Sequence, residues 1–333
     1  MMLLAFGTRP EYIKLKPLIN VLKQKSVKFK VVFTGQHPDL VDADSFDVQL
    51  KISEGANRLN SIVSSILNEE EIFSDVKSVL VQGDTASAYA FALSAFHKKI
   101  PIIHLEAGLR TYEETPFPEE FYRRSISLMS TVNLCPTANN IYNLSRERLN
   151  GSSYQVGNTV LDNLIGIETK YDSIVLVTLH RRENLDLMTH WFESLAKAAD
   201  QNKHLTFVVP IHPNPEVRKK ADSIHGVENI NVVEPLSHKE LIDVLRVCKF
   251  VITDSGGIQE EASFLKKKTI VCRNSTERQE SLGRFSFICS FENLPSLVKQ
   301  LDSNFVTNEK CPFGDGHSSE RIYEILNELN FFK

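Results

Sequence analysis

Three acidic side chains in the first half of the chain could transfer protons. Asp84, Glu106 and Glu119 lie in the strings QGDT (82–85), HLEAGLRT (104–111) and PEE (118–120). Carboxylates that meet in one site act as general acids and bases, and positioned proton transfer contributes on the order of 10²- to 10⁴-fold in rate. Two of them also have a plain alternative, Asp84 as a helix cap and Glu119 as an acid in a first helical turn.

Two cations precede these acids. Arg9 stands in GTRPE (7–11), and Lys14 follows about one helical turn later on the same face. Pro10 suits the start of a helix. We therefore expect the pair to neutralise a diphosphate group, with a solvated helix start as the alternative.

The string DSGGIQEEA (254–262) is the strongest phosphate signal. Its glycines allow close backbone approach, and the amide groups at a helix start favour an anion. We expect a diphosphate on Ser255, Gly256 and Gly257, with Glu261 accepting hydrogen bonds from ribose hydroxyl groups. The alternative is a plain strand-to-helix turn with Ser255 as its N-cap. No P-loop string is present.

Two histidines follow strand-like runs in the second half. His180 stands beside Arg181 and Arg182 and is a candidate phosphate ligand, while His212 stands in PIHPN with a structural role equally open. Because no two histidines are four residues apart, we predict no metal site. We assign three further histidines to loops without function: His225, His238 and His317.

Composition limits the classes of function. The 333 residues carry a formal charge of −4, which argues against broad binding to nucleic acid or acidic lipid. No apolar stretch approaches the roughly 18 residues of a membrane span. The five cysteines are scattered and odd in number, so we predict no disulfide framework, no zinc site and a reducing cytoplasm.

Each polar string follows an apolar run typical of a buried strand. Amphipathic segments alternate with the runs, which is the pattern of a doubly wound parallel sheet whose ligands bind at the carboxyl ends of the strands. The runs that we predict as strands are Met2–Phe6, Phe29–Thr34, Ser78–Gln82, Pro101–Leu105, Thr131–Cys135, Ser173–Leu179, Thr206–Pro210, Ile230–Val233, Phe250–Thr253 and Thr269–Cys272.

The pattern restarts near residues 157–172, so we predict an α/β fold of two Rossmann-like domains with the active site in the cleft between them. The first covers residues 1–160, and the helical segment 318–333 packs back on it. The second covers residues 161–317. Ser255 to Glu261 would bind the nucleotide in the second domain, and the acids would act from the first.

The ordered set of strings resembles the non-hydrolysing bacterial UDP-N-acetylglucosamine 2-epimerases, of glycosyltransferase-B-like fold. The strings that carry the resemblance are GTRPE (7–11), GQH (35–37), QGDT (82–85), HLEAGLRT (104–111), PEE (118–120), NTVLD (158–162), HRREN (180–184), DSGGIQEEA (254–262), TER (276–278) and GDG (314–316).

The resemblance implies a cytoplasmic, homodimeric isomerase of cell-surface polysaccharide synthesis that needs no cofactor. Its substrate would be a UDP-N-acetyl-hexosamine. UDP would leave by elimination, giving a bound glycal, and add back after protonation of C2 on the other face. The acid–base set would be Asp84, Glu106 and Glu119, with His180 at the phosphates.

The resemblance also implies which side chains hold the substrate: Arg9, Lys14, Arg123, His212, Ser255, Gly256, Gly257, Glu261 and Arg278. His212 and Gln36–His37 match a second, regulatory substrate site. The chain departs from the family pattern at Tyr122, where asparagine is expected, at Gln279, where proline is expected, and at Leu241, where an aromatic ring covers the uracil.

Three other functions stay open from the sequence. A hydrolysing relative would release UDP and free N-acetylmannosamine. A glycosyltransferase of the same fold would need an acceptor groove and would have less use for three acids. A nucleotide-sugar binding protein without activity would follow if the substitutions at Tyr122 and Leu241 abolish turnover.

Overall fold

The computed structural model describes residues 1–35, 43–114, 116–181, 184–211 and 215–332. The chain divides into two compact units. Unit 1 comprises Met1–Asn163 and Gly314–Lys333, and unit 2 comprises Leu164–Phe313. Each unit contains one parallel sheet with alternating helices, which confirms the predicted class of two Rossmann-like α/β domains. No helix of the described residues is both long and apolar enough to span a membrane.

Unit 1 is built around a seven-stranded sheet in the order β3-β2-β1-β4-β5-β6-β7. Its strands are β1 (Met2–Phe6), β2 (Phe29–Phe33), β3 (Val48–Gln49), β4 (Ser78–Gln82), β5 (Ile102–Leu105), β6 (Val132–Cys135) and β7 (Ser152–Gln155). Its helices are α1 (Arg9–Gln24), α2 (Arg58–Leu67), α3 (Ala86–His97), α4 (Glu119–Met129), α5 (Ala138–Ser145) and α11 (Ser318–Glu328).

Both faces of this sheet are covered. Along β1, Leu3 and Ala5 pack into one apolar cluster with α2 and α3, while Leu4 and Phe6 pack into a second cluster with α1 and α11. Successive strand residues point to opposite faces, so a continuous apolar run is what a strand covered on both sides requires. The continuous apolar runs in the sequence therefore reflect strands that are buried on both faces of the sheet.

The last helix of the chain belongs to unit 1. Ile322 and Leu326 of α11 are fully buried in the cluster that contains α1. The carboxylate of Asp162 accepts hydrogen bonds from the backbone amides of Ser318 at 3.0 Å and Ser319 at 2.7 Å. Asp162, which precedes unit 2 in the chain, therefore accepts hydrogen bonds from the unpaired backbone amides at the start of α11, which follows unit 2.

Unit 2 is built around a six-stranded sheet in the order β10-β9-β8-β11-β12-β13. Its strands are β8 (Ile174–Thr178), β9 (Thr206–Pro210), β10 (Ile230–Val233), β11 (Phe250–Thr253), β12 (Thr269–Val271) and β13 (Ser286–Ile288). Its helices are α6 (Met188–Gln201), α7 (Pro215–Lys220), α8 (His238–Val247), α9 (Gly256–Phe264) and α10 (Leu294–Ser303).

Strand order reverses between β1 and β4 in unit 1 and between β8 and β11 in unit 2. Loops that follow the two central strands diverge at such a reversal, which leaves a crevice where ligands bind. In unit 1 these loops carry Gly7–Glu11 and Gly83–Asp84, and in unit 2 they carry His180 and Asp254. The sheet order thus places four of the polar strings at the two switch points.

Three strands were not predicted from the sequence, and each of them lies at the edge of a sheet. They are β3, β7 and β13. The residues of β7, Ser152–Gln155, are polar and partly exposed, because an edge strand is not enclosed by neighbours on both sides. Two polar strings also extend further into helices than expected, since α1 begins at Arg9 and α9 begins at Gly256.

Candidate active site

The carboxylate of Glu106 lies at the carboxyl end of β5 and is nearly buried. Its Oε2 accepts a hydrogen bond from Lys14 Nζ at 2.5 Å and another from the amide of Gln82. Its backbone adopts a φ of +65°, a region that residues other than glycine rarely occupy and that costs free energy. The fold therefore holds this side chain in a specific place against its local preference.

Asp84 follows β4, next to the strand that carries Glu106. Its Oδ2 lies 2.5 Å from a guanidinium nitrogen of Arg123 in α4. Arg123 also lies 3.5 Å from Glu120, whose carboxylate accepts the backbone amides of Thr111 and Tyr112 at 3.1 Å each. Asp84 does not cap α3, because Thr85 occupies that position and its hydroxyl accepts the amide of Ala88 at 3.1 Å.

The turn before Asp84 lies against the carboxylate of Glu106. Gly83 has a φ of +69°, and a Cβ placed on it would lie 3.8 Å from Glu106 Oε2. The carboxyl ends of β4 and β5 therefore hold two acids, each paired with a cation from a helix. Unit 1 thus forms two ion pairs among the predicted site residues, Lys14 with Glu106 and Asp84 with Arg123.

Two other predicted residues of unit 1 are the first residues of the helices that carry the paired cations. Glu119 opens α4 one turn before Arg123, and Arg9 opens α1 five residues before Lys14. In the described part of the chain, neither side chain has a hydrogen bond or an ion pair. Tyr122 points into the core, where its ring stacks on Tyr89 with centroids 5.0 Å apart.

Glu11 is a buried acid that the sequence analysis did not select. It accepts hydrogen bonds from the amides of Gly7 at 3.1 Å and Thr8 at 2.7 Å, and from the hydroxyl of Thr85 at 2.7 Å. Burial raises the pKa of Glu11 to about 7, although these hydrogen bonds oppose the rise. Glu11 therefore connects the loop after β1 to the loop that carries Asp84.

His104 lies beneath the same turn and was not selected either. Its Nε2 donates to the carbonyl oxygen of Gly83 at 2.9 Å. Burial lowers the pKa of His104 to about 4, with the nearby Arg110 contributing to the decrease. Because the ring is neutral at pH 7, it supports the turn before Asp84 as a hydrogen-bond donor and adds no charge.

Asp254 joins the two switch-point loops of unit 2. It is fully buried, and its carboxylate accepts the backbone amides of His180 at 3.0 Å and Arg181 at 2.9 Å and the side-chain amide of Asn184 at 3.0 Å. The imidazole Nδ1 of His180 lies 3.5 Å from the same carboxylate, and its side chain is 41% exposed. Asp254 therefore fixes the backbone of the loop and leaves the imidazole accessible.

The start of α9 is shaped for close approach. Ser255 occupies the N-cap position, but its hydroxyl makes no capping bond. A Cβ on Gly256 would lie 2.8 Å from the guanidinium carbon of Arg278, whereas a Cβ on Gly257 would meet no atom within 4 Å. The structure thus brings Ser255, Gly256 and Arg278 together and leaves Gly257 open.

Three arginines surround one carboxylate next to this helix start. Glu277 lies 2.9 Å from Arg273 and 3.6 Å from Arg181, and it also pairs with Arg278. Burial alone would raise the pKa of Glu277, but these guanidinium groups hold it well below its usual range. Arg278 also donates to Glu260 at 2.8 Å. Among the described residues, the cluster thus joins three guanidinium groups to two carboxylates.

Glu261 lies further along α9 and is buried. Its Oε1 lies 2.7 Å from the imidazole Nε2 of His238. His238 is the first residue of α8 and not a loop residue, which corrects the sequence interpretation.

Some predicted residues lie outside the described part of the chain: His212, Arg182, Gln36 and His37. Among the described residues no group of three or more potential metal ligands occurs. The cysteines are free thiols, and Cys135, Cys248, Cys272 and Cys289 are buried.

Comparison with known proteins places the chain in a sequence family. The profile of a family described as UDP-N-acetylglucosamine 2-epimerase matches residues 20–327. The chain is 35% identical to the UDP-N-acetylglucosamine 2-epimerase of Campylobacter jejuni over 97% of this chain and 96% of the relative. It is 33% identical to the protein of that name from Salmonella borreze over 99% of each chain.

Solved structures agree with the sequence comparison. The UDP-GlcNAc 2-epimerase of Neisseria meningitidis, solved bound to UDP-GlcNAc, superposes with a TM-score of 0.89 at 32% identity, covering 98% of this chain and 99% of that one. MurG of Acinetobacter baumannii superposes with a TM-score of 0.60 at 13% identity, covering 98% and 99%. The second likeness concerns the fold alone, which is of the glycosyltransferase-B type.

Proposed function

Because the chain belongs to the UDP-N-acetylglucosamine 2-epimerase family, we propose that it interconverts UDP-N-acetylglucosamine and UDP-N-acetylmannosamine without hydrolysis. The observation that carries the proposal is the pair of cation-bound carboxylates, Glu106 with Lys14 and Asp84 with Arg123, at the ends of neighbouring strands. Glycosyl transfer would have little use for two such acids, whereas epimerisation needs one proton removed and one returned.

The chemistry proceeds by elimination and re-addition. A carboxylate takes the proton from C2 of the sugar, the C2–H electron pair forms the C1–C2 double bond, and the C1–O bond breaks to release UDP. A protonated carboxyl group then returns a proton to the other face of C2 as UDP adds back at C1. Glu106, Asp84 and Glu119 are the acids proposed for these two proton transfers.

Departure of UDP requires positive charge near its diphosphate. We assign this group to the start of α9 in unit 2, where the helix dipole and the backbone amide groups favour an anion and where Arg278 lies beside Gly256. Ser255, Gly256, Gly257 and Arg278 hold it, with the accessible imidazole of His180 beside them. In unit 1, Arg9 has no ion-pair partner in the described residues, and family membership supports it as a further candidate cation for the diphosphate.

The proposal includes a homodimer. Helices α3 and α4 expose large apolar side chains on the outside of unit 1, with Phe96 at 53%, Phe121 at 61% and Leu128 at 63%. Phe121 and Leu128 are seven residues apart in α4, so they lie on the same face of that helix, and an exposed apolar face is typical of a surface that a partner covers. We also infer a reducing compartment, the cytoplasm, because no disulfide joins the cysteines of the described residues.

The proposal is tested by incubating the protein with UDP-N-acetylglucosamine in D₂O and following the products by NMR. Deuterium at C2 in intact UDP-N-acetylmannosamine is the expected result. Free N-acetylmannosamine with UDP would instead identify the hydrolysing reaction. Substrate that binds but remains unchanged would overturn both reactions for this sugar.

A further inference from the structure

We infer that His238 is a positioning residue that holds Glu261 as an acceptor for ribose hydroxyl groups, and that the pair gives the site its preference for a ribonucleotide. The inference rests on the proposed function, because it concerns the nucleotide end of the same substrate. It assigns a role to a histidine that the sequence analysis placed in a loop without function.

Glu261 is a buried carboxylate with a single side-chain partner in the described chain. Glu261 is 4% exposed, and its Oε1 forms a hydrogen bond with Nε2 of His238 at 2.7 Å. An ionised carboxylate has about four acceptor positions on its two oxygens. Burying an ionised carboxylate with so few hydrogen-bond donors costs free energy unless a ligand supplies the missing donors.

The ligand groups that fit Glu261 are hydroxyl donors. A diphosphate is anionic and would be repelled by the carboxylate, and uracil offers only one N–H donor. The two adjacent hydroxyl groups of a ribose supply two donors to one carboxylate. Glu261 also lies about 7.5 Å along α9 from Gly256, at 1.5 Å per residue, so a diphosphate at the helix start leaves room for a ribose beside Glu261.

His238 comes from a different element, and its backbone lies at a capped helix start. It is the first residue of α8, whose start is fixed by a capping box in which the Ser237 amide donates to Glu240 at 2.7 Å and the Ser237 hydroxyl accepts the Glu240 amide at 3.3 Å. The His238 side chain is 25% exposed. The capping box fixes the backbone of His238, so the imidazole holds one oxygen of Glu261 in place and leaves the other for the ligand.

The inference is tested by measuring binding of UDP, 2′-deoxy-UDP and 3′-deoxy-UDP by calorimetry. We expect the unchanged protein to prefer UDP by about 10-fold or more, because hydrogen bonds to a charged acceptor contribute strongly. His238→Asn, which is too short to reach Glu261, should reduce this preference to within about 3-fold. His238→Gln, which keeps an N–H donor at a similar reach, should retain most of it.

Two controls separate positioning from general support. His225→Asn replaces an exposed histidine of the same unit and should leave all three affinities unchanged. An equal loss of affinity for all three nucleotides in His238→Asn would show a merely structural role and overturn the inference, as would an unchanged preference. If the unchanged protein binds no UDP, the proposed function fails first and the inference fails with it.

Discussion

The ammonium nitrogen of Lys14 lies 2.5 Å from Oε2 of Glu106, although the two residues are 92 positions apart in the chain. The sequence suggested that Lys14 neutralises a diphosphate and that Glu106 transfers a proton. In unit 1 the two roles meet, because the cation of α1 balances the charge of the acid at the end of β5.

We predict that Lys14→Met slows C2 proton exchange by about 10²-fold, the low end for loss of a proton-transfer group. UDP affinity should change by less than about 3-fold, since the lost charge interaction is with Glu106. Exchange is measured by NMR in D₂O, and affinity by calorimetry. Lys16→Met, at an exposed position of the same helix, is the matched control. A parallel loss of UDP affinity would return Lys14 to the role of diphosphate ligand.

Asp84→Asn should lower C2 exchange by at least about 10²-fold while UDP still binds. The substitution keeps the shape of the side chain but removes the charge that pairs with Arg123 and the capacity to accept a proton. Asp75→Asn, an exposed site in the same unit, should behave like the unchanged protein. Near-normal exchange in the Asp84 variant would exclude this residue from the acid–base set.

Two neighbouring glycines should respond differently to alanine. In Gly256→Ala the new methyl group meets the guanidinium of Arg278, which Glu260 and Glu277 hold in place. We expect it to lower the free energy of unfolding by roughly 1–3 kcal/mol, as overpacking does. Gly257→Ala enters open space and should be neutral or stabilise by up to about 1 kcal/mol, as alanine does in helices. Urea denaturation without ligand measures the free energy of unfolding of both variants. Equal losses of stability would contradict the different surroundings of the two glycines.

The stability of unit 1 should depend on pH through two buried groups with opposite slopes. Glu11 binds its proton more tightly when folded, with a pKa of about 7, so its contribution is present below pH 4.5 and lost as pH rises through 7. His104 binds its proton less tightly, with a pKa of about 4, so its contribution is present above pH 6.5 and lost as pH falls through 4. Each contributes on the order of 3 kcal/mol.

Because the two slopes oppose each other between pH 4.5 and 6.5, single variants should reveal them. Glu11→Gln should leave a protein whose unfolding free energy rises with pH in this range, and His104→Gln one whose unfolding free energy falls. Urea denaturation at four pH values from 4.5 to 7.5 measures the slopes. If both variants show the same slope as the unchanged protein, these groups do not control the pH dependence.

The proposed dimer predicts that charge on the exposed face of α3 and α4 produces monomers. Phe121→Glu combined with Leu128→Glu should halve the mass measured by light scattering after size-exclusion chromatography. Tyr142→Glu alters an exposed aromatic residue of α5 and should leave the mass unchanged. A monomeric mass for the unchanged protein would refute the dimer directly.

The sequence by itself determined the fold class and the location of most candidate residues. The apolar run Met2–Phe6 identifies a strand buried on both faces, because its alternate residues pack into opposite clusters. The polar strings directly after these runs had to lie at the carboxyl ends of a parallel sheet. Edge strands such as Ser152–Gln155 lacked this signal because they are partly exposed.

Only the tertiary structure decided which side chains share a bond. Lys14 with Glu106, Glu11 with Thr85 and His238 with Glu261 are separated by 92, 74 and 23 positions. Such pairs depend on strand order, on the rotation of each helix and on the exact turn that ends each strand, and local sequence patterns encode none of these. Hydrophobic burial acts on every apolar residue of a segment, so it leaves a periodic pattern in the sequence. A single buried hydrogen bond requires only two residues that are far apart in the chain, and it leaves no such pattern.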